Sequence, residues 1–309
     1  MTLYNPDSED AAIEQPTIAL FKKLGWDTLN CFHENFGPLS LLGRETMAEV
    51  VLPNRLKPAL EKLNPGVSPN AIEIAVHDLT KDRSTMSAAR ANQTVYRILK
   101  DGVKVAYRKG DDEEEAVEIV KVIDWTKPDN NDFLLASQFW ISGDYGKKRA
   151  DLIGFVNGIP LVFIELKASH KKLELAYQKN LSDYRDTIPQ VLWYNAVIIL
   201  SNGSKARIGS MTAGFEHFSE WKKIDDEKES GLISLDTMIR GVCEKRKLLD
   251  LVENFTIYNE AKGDLTKLVA KNHQFLGVNN AIAAVEPVSY THLRAHETKA
   301  NLVCRLLLE

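Results

Sequence analysis

Two carboxylates and an amine stand where they could share one task. Asp151 opens the run DLIGFV, and Glu165 and Lys167 close the run IPLVFIELK that follows Asn157-Gly158. Paired acids supply hard oxygen ligands for Mg2+, a cation that keeps several waters and takes phosphate oxygens as further ligands. Such an ion polarises a phosphoryl group and lowers the pKa of a bound water. A lysine beside it would hold that water or the phosphate and offset charge on the transition state. The chemistry indicated is hydrolysis of a phosphodiester. The plainer alternative is structural: Lys167 lies two residues from Glu165, and a Glu–Lys ion pair at a strand end needs no metal.

The elements that would position these residues are strands. The run 159–167 is apolar enough to be covered on both faces. Alternation then puts Leu161, Phe163, Glu165 and Lys167 on one face and Val162, Ile164 and Leu166 on the other. Glu165 therefore projects from a strand that otherwise reads as core, where an unpartnered carboxylate is costly. Asn157-Gly158 is a strong hairpin signal, and it brings 150–156 back against 159–167. A turn of those two residues alone would pair Val156 with Ile159, set Asp151 opposite Ile164, and face it away from Glu165. A three-residue loop, Val156-Asn157-Gly158 with Gly158 left-handed, shifts the parity and places Asp151 on the Glu165 face. The odd register is expected, through that longer loop, unless Asp151 lies just outside the ladder.

Around the hairpin the pattern alternates helices and strands. A helix starting near Glu14 runs to Gly25 with Asp7 and Ser8 as possible caps, and Pro16 is tolerable only in its first turn. Segments 44–63, 68–80 and 82–100 read as helical. Strand-like runs follow at 103–108, 117–125 and 133–142, with an acidic bridge at 111–115 read as a solvated loop. After the hairpin come a helix over about 171–186, strands at 196–200 and 206–208, and helices at 235–253 and 260–285. Strand, strand, helix, strand is an α/β arrangement with a mixed central sheet flanked by helices.

Composition sets wide bounds. A 309-residue chain, 44% apolar and 27% charged, has ample material for a globular core. No stretch approaches the roughly 18–20 unbroken apolar residues of a membrane helix, and the polar, acidic start lacks a signal-peptide pattern. Cys31, Cys243 and Cys304 lie far apart without ligand spacing, as scattered thiols of a cytoplasmic protein would. The net charge is −4, yet residues 141–210 hold ten Lys/Arg against six Asp/Glu. A basic window in an acidic chain is compatible with a nucleic-acid footprint and equally with solvated lysines.

The acids and lysine resemble the signature of the PD-(D/E)xK nuclease superfamily. The wider context RADLIGFVNGIPLVFIELK, NLSDYRDTIPQVLWYNAVIILSNG and ARIGSMTAGFEHFSEWK is similar to the amino-terminal nuclease region of the R (restriction) subunit of type I restriction-modification enzymes. The resemblance runs from IEQPTIALFKKLGW to KNHQFLGVNNAIAAVE, about residues 1–286. It implies a restriction-endonuclease-like core with Asp151 and Glu165 as metal-ligating acids, Lys167 as the catalytic lysine, and Mg2+ as cofactor. Glu14 matches an acidic position that can approach the metal, although a solvent-facing helix glutamate is an equal reading. The family's Gln-x-x-x-Tyr motif falls on Asn180 and Tyr184, with asparagine in the glutamine slot and Gln178 two residues earlier. Tyr184 is assigned to DNA or phosphate contact, with half-buried packing as the alternative. Implied partners are double-stranded DNA and the M (methylation) and S (specificity) subunits, with no membrane.

The family continues into an ATP-driven DNA motor, and ATP belongs to that full-length enzyme. These 309 residues contain no GxxxxGK[ST] phosphate loop. The expected organisation is a nuclease domain over 1–235 with a helical insertion at about 44–100, then a linker and the start of the motor region over 236–286. Residues 287–309 read as a non-native tail, so the chain is expected to be a truncated product. The activity implied is an endonuclease that cuts after translocation. The alternatives are a non-catalytic DNA-holding or subunit-docking module and a stand-alone nuclease of the same superfamily.

Overall fold

The computed structural model describes residues 13–108, 115–261 and 263–285. The Asp7 and Ser8 caps, the acidic run at 111–114, Cys304 and the 287–309 tail lie outside them.

The first helix, α1 (Gln15–Lys23), carries Pro16 in its opening turn, where the missing N–H costs no hydrogen bond. It stops before Gly25, whose φ of 81° only glycine adopts freely. A short strand absent from the expectations follows, β1 (Asp27–Asn30). Helices α2 (Pro53–Leu63), α3 (Pro69–Thr80) and α4 (Ala88–Asp101) replace the three expected helical segments, two of them shortened. Residues 44–52 are not helical because the Arg44 guanidinium takes the carbonyls of Met47 and Glu49. At the other boundary the Asp82 carboxylate accepts from Ser84, and Ser87 caps α4 by accepting from Arg90 N–H.

Strands β2 (Val103–Arg108) and β3 (Glu115–Val120) form an antiparallel pair. Then come β4 (Phe133–Gly143), β5 (Gly146–Val156) and β6 (Ile159–Leu166). The helix expected at about 171–186 is a composite of α5 (Leu173–Leu175), a π-helical stretch at Ala176–Leu181, and α6 (Ser182–Thr187). Strands β7 (Val197–Ser201) and β8 (Ala206–Gly209) lie one residue or less from expectation at their starts. The expected helix 235–253 is broken into α7 (Leu235–Val242) and α8 (Lys245–Asn254). Glu244 caps the second by accepting from the N–H groups of Arg246 and Lys247. The expected helix 260–285 is largely overturned. An antiparallel hairpin, β9 (Thr256–Ala261) with β10 (Asp264–Val269), precedes α9 (Asn272–Val285). Gly263, with φ 88°, lies in its turn, and the β-branched residues Thr256, Ile257, Thr266 and Val269 favour the pleated form.

The chain divides into two compact units. One comprises Gly25–Glu165 and Gln178–Ala196. Its strands run in the order β1-β4-β5-β6, with β1 parallel to β4 and the remaining neighbours antiparallel, so the expected mixed α/β character holds. The other comprises Met1–Leu24, Leu166–Tyr177 and Val197–Glu309. It contains α1, the β7–β8 and β9–β10 hairpins and α7–α9, with α1 and α8 both packed on α7. No described helix is long and apolar enough to cross a membrane.

The β5–β6 hairpin corrects the expected route to its register. Asn157 (φ 50°) and Gly158 (φ 76°) alone make the turn, and Val156 pairs with Ile159. A longer loop has no room here. Asn157 is fully buried, bonded to the Val122 carbonyl, to Asn131 and to the backbone of Asp132. The Gly158 carbonyl accepts from Leu52 N–H, and a side chain on Gly158 would meet Leu52 and Leu56 backbone atoms. The parity shift occurs inside the ladder instead. After Phe155↔Pro160 the pairs become Gly154↔Val162, Ile153↔Phe163 and Leu152↔Ile164, leaving Leu161 as an extra residue on β6. The Leu161 carbonyl accepts from Ala196 N–H at 2.7 Å, so the bulge leaves that acceptor satisfied. Gly154 gives the shift its space, since a Cβ there would lie 3.1 Å from both Val162 Cβ and the Trp26 ring.

Candidate active site

The β5–β6 ladder ends at Leu152↔Ile164, and its shifted register continued by one residue sets Asp151, just beyond the last pair, opposite Glu165. Directly opposed residues of an antiparallel pair point to the same face, so the two carboxylates share one side of the sheet. Glu165 is only 2% exposed, on a strand whose every residue is buried. Burying a carboxylate there is tolerable only with partners, and the following helical stretch supplies them. Asn180 Nδ2 donates to Glu165 Oε1, and the Tyr184 hydroxyl lies 3.2 Å from Oε2 as a second donor. Asn180 and Tyr184 are four residues apart, the spacing at which helical side chains meet the same neighbour. The π-helical turn at Ala176–Leu181 sets the phase at which Asn180 arrives.

Tyr184 is buried and packs edge-on against Phe163, with ring centroids 5.4 Å apart. Its hydroxyl also lies 3.3 Å from the Arg149 carbonyl. Burial, then the negative charges of Glu165 and Asp151, push its phenol far above the ordinary tyrosine range. The group therefore remains a neutral donor.

Asp151 has a second neighbour across β4. Ser137 pairs with Leu152 and Phe139 with Ala150, so Gln138 occupies the place opposite Asp151. Gln138 has φ 56°, a left-handed conformation inside a strand that costs a non-glycine residue of order 1–2 kcal/mol. Neither composition nor alternation marks this residue. Only the register makes it visible.

The remaining expected residues are placed as follows. Lys167, just past β6, is half-buried; its N–H donates to the Ser201 carbonyl at 2.8 Å and its ammonium to the Leu166 carbonyl at 3.1 Å. Glu14 precedes α1 and is buried, so the solvent-facing alternative is corrected. Gln178 is exposed, and the amide brought to Glu165 is Asn180. Asp151, Glu165, Asn180 and Tyr184 are thus brought together. A cleft of about 780 Å³ lined by Val50, Tyr145, Gln190 and Trp193, among others, includes none of the four.

The donor set can be tested against a metal. No three His, Cys, Asp or Glu side chains converge as a metal cage among the described residues. Two opposed carboxylates without sulfur or imidazole suit a hard cation that fills its remaining positions with water and phosphate oxygens, as Mg2+ does, and do not suit zinc. The residues fit that ion.

Comparison with known proteins bears on the same region. The family profile described as type I restriction enzyme R protein N terminus matches residues 7–217. The chain is 33% identical over 283 residues to the type I restriction enzyme HindI endonuclease subunit of Haemophilus influenzae, covering 87% of this chain and 26% of that protein. It is 25% identical over 298 residues to a putative type I restriction enzyme MjaIXP endonuclease subunit of Methanocaldococcus jannaschii, covering 89% and 27%. The chain therefore spans about a quarter of the length of these relatives. On the match across 7–217, which contains both strands of the hairpin and the helix behind them, the chain belongs to the family of type I restriction enzyme R protein N-terminal regions.

Proposed function

We propose that this chain is the magnesium-dependent endonuclease part of a type I restriction enzyme R subunit, cutting double-stranded DNA. The observation that supports the reading is the bulged register that ends at Leu152↔Ile164, one residue short of Asp151 and Glu165, with Asn180 and Tyr184 on the two oxygens of Glu165. Asp151 and Glu165 would hold Mg2+, which when bound supplies an acidified water and a polarised phosphoryl group. Lys167 steadies the attacking water or the scissile phosphate and offsets the charge that builds on it. Asn180 and Tyr184 orient Glu165 by donating to its two oxygens. Glu14 and Gln178 are secondary candidates for contact with the metal and the DNA.

In this reading residues 1–235 form the nuclease region with an insertion at about 44–100, whose helices are α2, α3 and α4. Residues 236–286 lead towards an ATP-driven motor. Cleavage follows translocation by that motor, within a cytoplasmic complex whose S subunit gives specificity and whose M subunits methylate.

The test is a Mg2+ titration on supercoiled plasmid with the purified chain, alongside calorimetry of Mg2+ binding in the presence of DNA. Nicking lost in Asp151→Ala and Lys167→Ala, with Mg2+ binding lost in Asp151→Ala alone, is expected. Absence of metal binding even with DNA present would overturn the proposal in favour of a non-catalytic docking module.

A further inference from the structure

Alternation along β5 puts Lys147, Arg149 and Asp151 on one face, with successive members about 7 Å apart. Arg149 is exposed and lies against two aromatic rings, Phe32 and Trp140, whose centroids are 6.5 Å apart. Its guanidinium carbon lies 5.2 Å from the centroid of Phe32 and 5.4 Å from that of Trp140, and Lys147 Nζ lies 5.2 Å from Trp140. Phe32 is itself 42% exposed. Lys148, the intervening residue, pairs with Asp183, but neither Lys147 nor Arg149 makes an ion pair among the described residues. The aromatic plates are held in place from behind. Cys31 N–H donates to the Ser137 carbonyl at 2.8 Å, and Phe32 N–H to Asn30 Oδ1 at 2.9 Å. Arg44, wholly buried, bridges the Glu34 carboxylate to the Trp140 carbonyl. Two cations without acidic partners thus lie on a prearranged aromatic support, one strand step from the acidic pair.

We propose that this row, Arg149 and Lys147 on Phe32 and Trp140, seats the phosphates of the DNA strand next to the scissile one. Charge complementarity selects a polyanion. The rings back the Arg149 guanidinium, whose planar fork can meet two phosphate oxygens at once, an arrangement lysine cannot reproduce. The inference rests on the nuclease reading for the identity of the polyanion as DNA.

The experiment is fluorescence anisotropy of a labelled 30-base-pair duplex with the full chain in EDTA, measured between 50 and 200 mM salt. Each duplex phosphate contact contributes a slope of about −0.9 in log affinity against log salt. Lys147→Ala/Arg149→Ala should therefore flatten the slope by about 1.8 and remove roughly twelvefold from the fall in affinity over that fourfold salt range. Arg149→Lys should lower affinity at every salt concentration while keeping most of the slope. Lys22→Ala/Lys23→Ala, removing two exposed cations of α1, should leave the slope unchanged. A slope unaltered in Lys147→Ala/Arg149→Ala, an equal loss in the α1 variant, or no duplex binding by the parent at 50 mM salt would each overturn the inference. The underlying reading fails separately. Plasmid nicking that survives Asp151→Ala removes the nuclease and leaves a DNA-holding row standing. Nicking lost in Asp151→Ala, with binding indifferent to Lys147 and Arg149, removes the row alone.

Discussion

Replacing Tyr184 with phenylalanine deletes one oxygen and keeps the ring against Phe163. The hydroxyl lies 3.2 Å from Glu165 Oε2 and 3.3 Å from the Arg149 carbonyl, so its single proton serves chiefly the charged acceptor. A hydrogen bond to a charged group contributes about 1.5–3 kcal/mol net. The distance is long for a charge-assisted O–H bond, and Asn180 still donates to the other carboxylate oxygen, which argues for the lower end. No cavity opens, so no packing penalty adds to it. The expected cost is about 1.5 kcal/mol, or roughly tenfold in the folding constant. In urea unfolding with a slope near 3 kcal/mol/M, the midpoint should drop by about 0.5 M. Because burial and the neighbouring carboxylates keep the phenol protonated, the loss should be the same at pH 6 and pH 9. The same substitution in a Glu165→Gln background should cost only about 0.5 kcal/mol, since the acceptor is then neutral. A loss below 0.3 kcal/mol in the parent, or an equal loss in both backgrounds, would refute the assignment of Tyr184 as a holder of the Glu165 carboxylate.

Gln138→Gly should stabilise the chain by roughly 0.5–1 kcal/mol, because relief of the left-handed backbone outweighs the added freedom of the unfolded state; thermal unfolding would read it, and a lower midpoint would contradict the strain. Gly143→Ala should destabilise by at least about 2 kcal/mol, since the new Cβ would lie 1.9 Å from the Thr187 carbonyl oxygen, part of the backbone of α6; an unchanged midpoint would show that α6 shifts freely. Lys267 is buried, and desolvation lowers its ammonium to about 7 from an ordinary value of 10.5. Between those values the unfolded chain holds the extra proton, so stability rises with pH, by about 2 kcal/mol from pH 7.5 to 9. Lys267→Met should remove that rise, and urea midpoints at the two pH values would show whether it does.

The candidate site was readable because its parts are local. Glu165 in an apolar strand, Asn157-Gly158 before it and Asp151 at matching depth are all within fifteen residues. The side of the sheet on which Asp151 falls was readable as a question of parity, and the odd answer is the one observed, by a different route. What defeated the expected loop was tertiary: Asn157 is clamped by Val122, Asn131 and Asp132, residues from twenty-five to thirty-five positions away. The same kind of long-range cause hides β1, four residues without alternation that become a strand only by pairing with β4. Residues 44–52 are kept out of a helix by a nearer cause, the buried Arg44 guanidinium on carbonyls three and five residues ahead. The 256–269 hairpin failed for a local reason, because apolar residues at Leu265, Leu268 and Val269 fit a helical spacing as well as a strand.

Leu161 has a consequence for how such chains are compared and how they diverge. An alignment that places a one-residue gap on the wrong side of Leu161 displaces Glu165 relative to Asp151 by one position, and the acidic pair vanishes from view while the hairpin still matches. The same arithmetic applies to mutation. Deleting one codon within β6 between the turn and Glu165 would keep the turn and its clamps, and it would swap which residues of the far end of β6 face Asp151. The opposition of the two carboxylates in this hairpin can thus be lost or regained through the length of a strand, with every acidic residue still encoded.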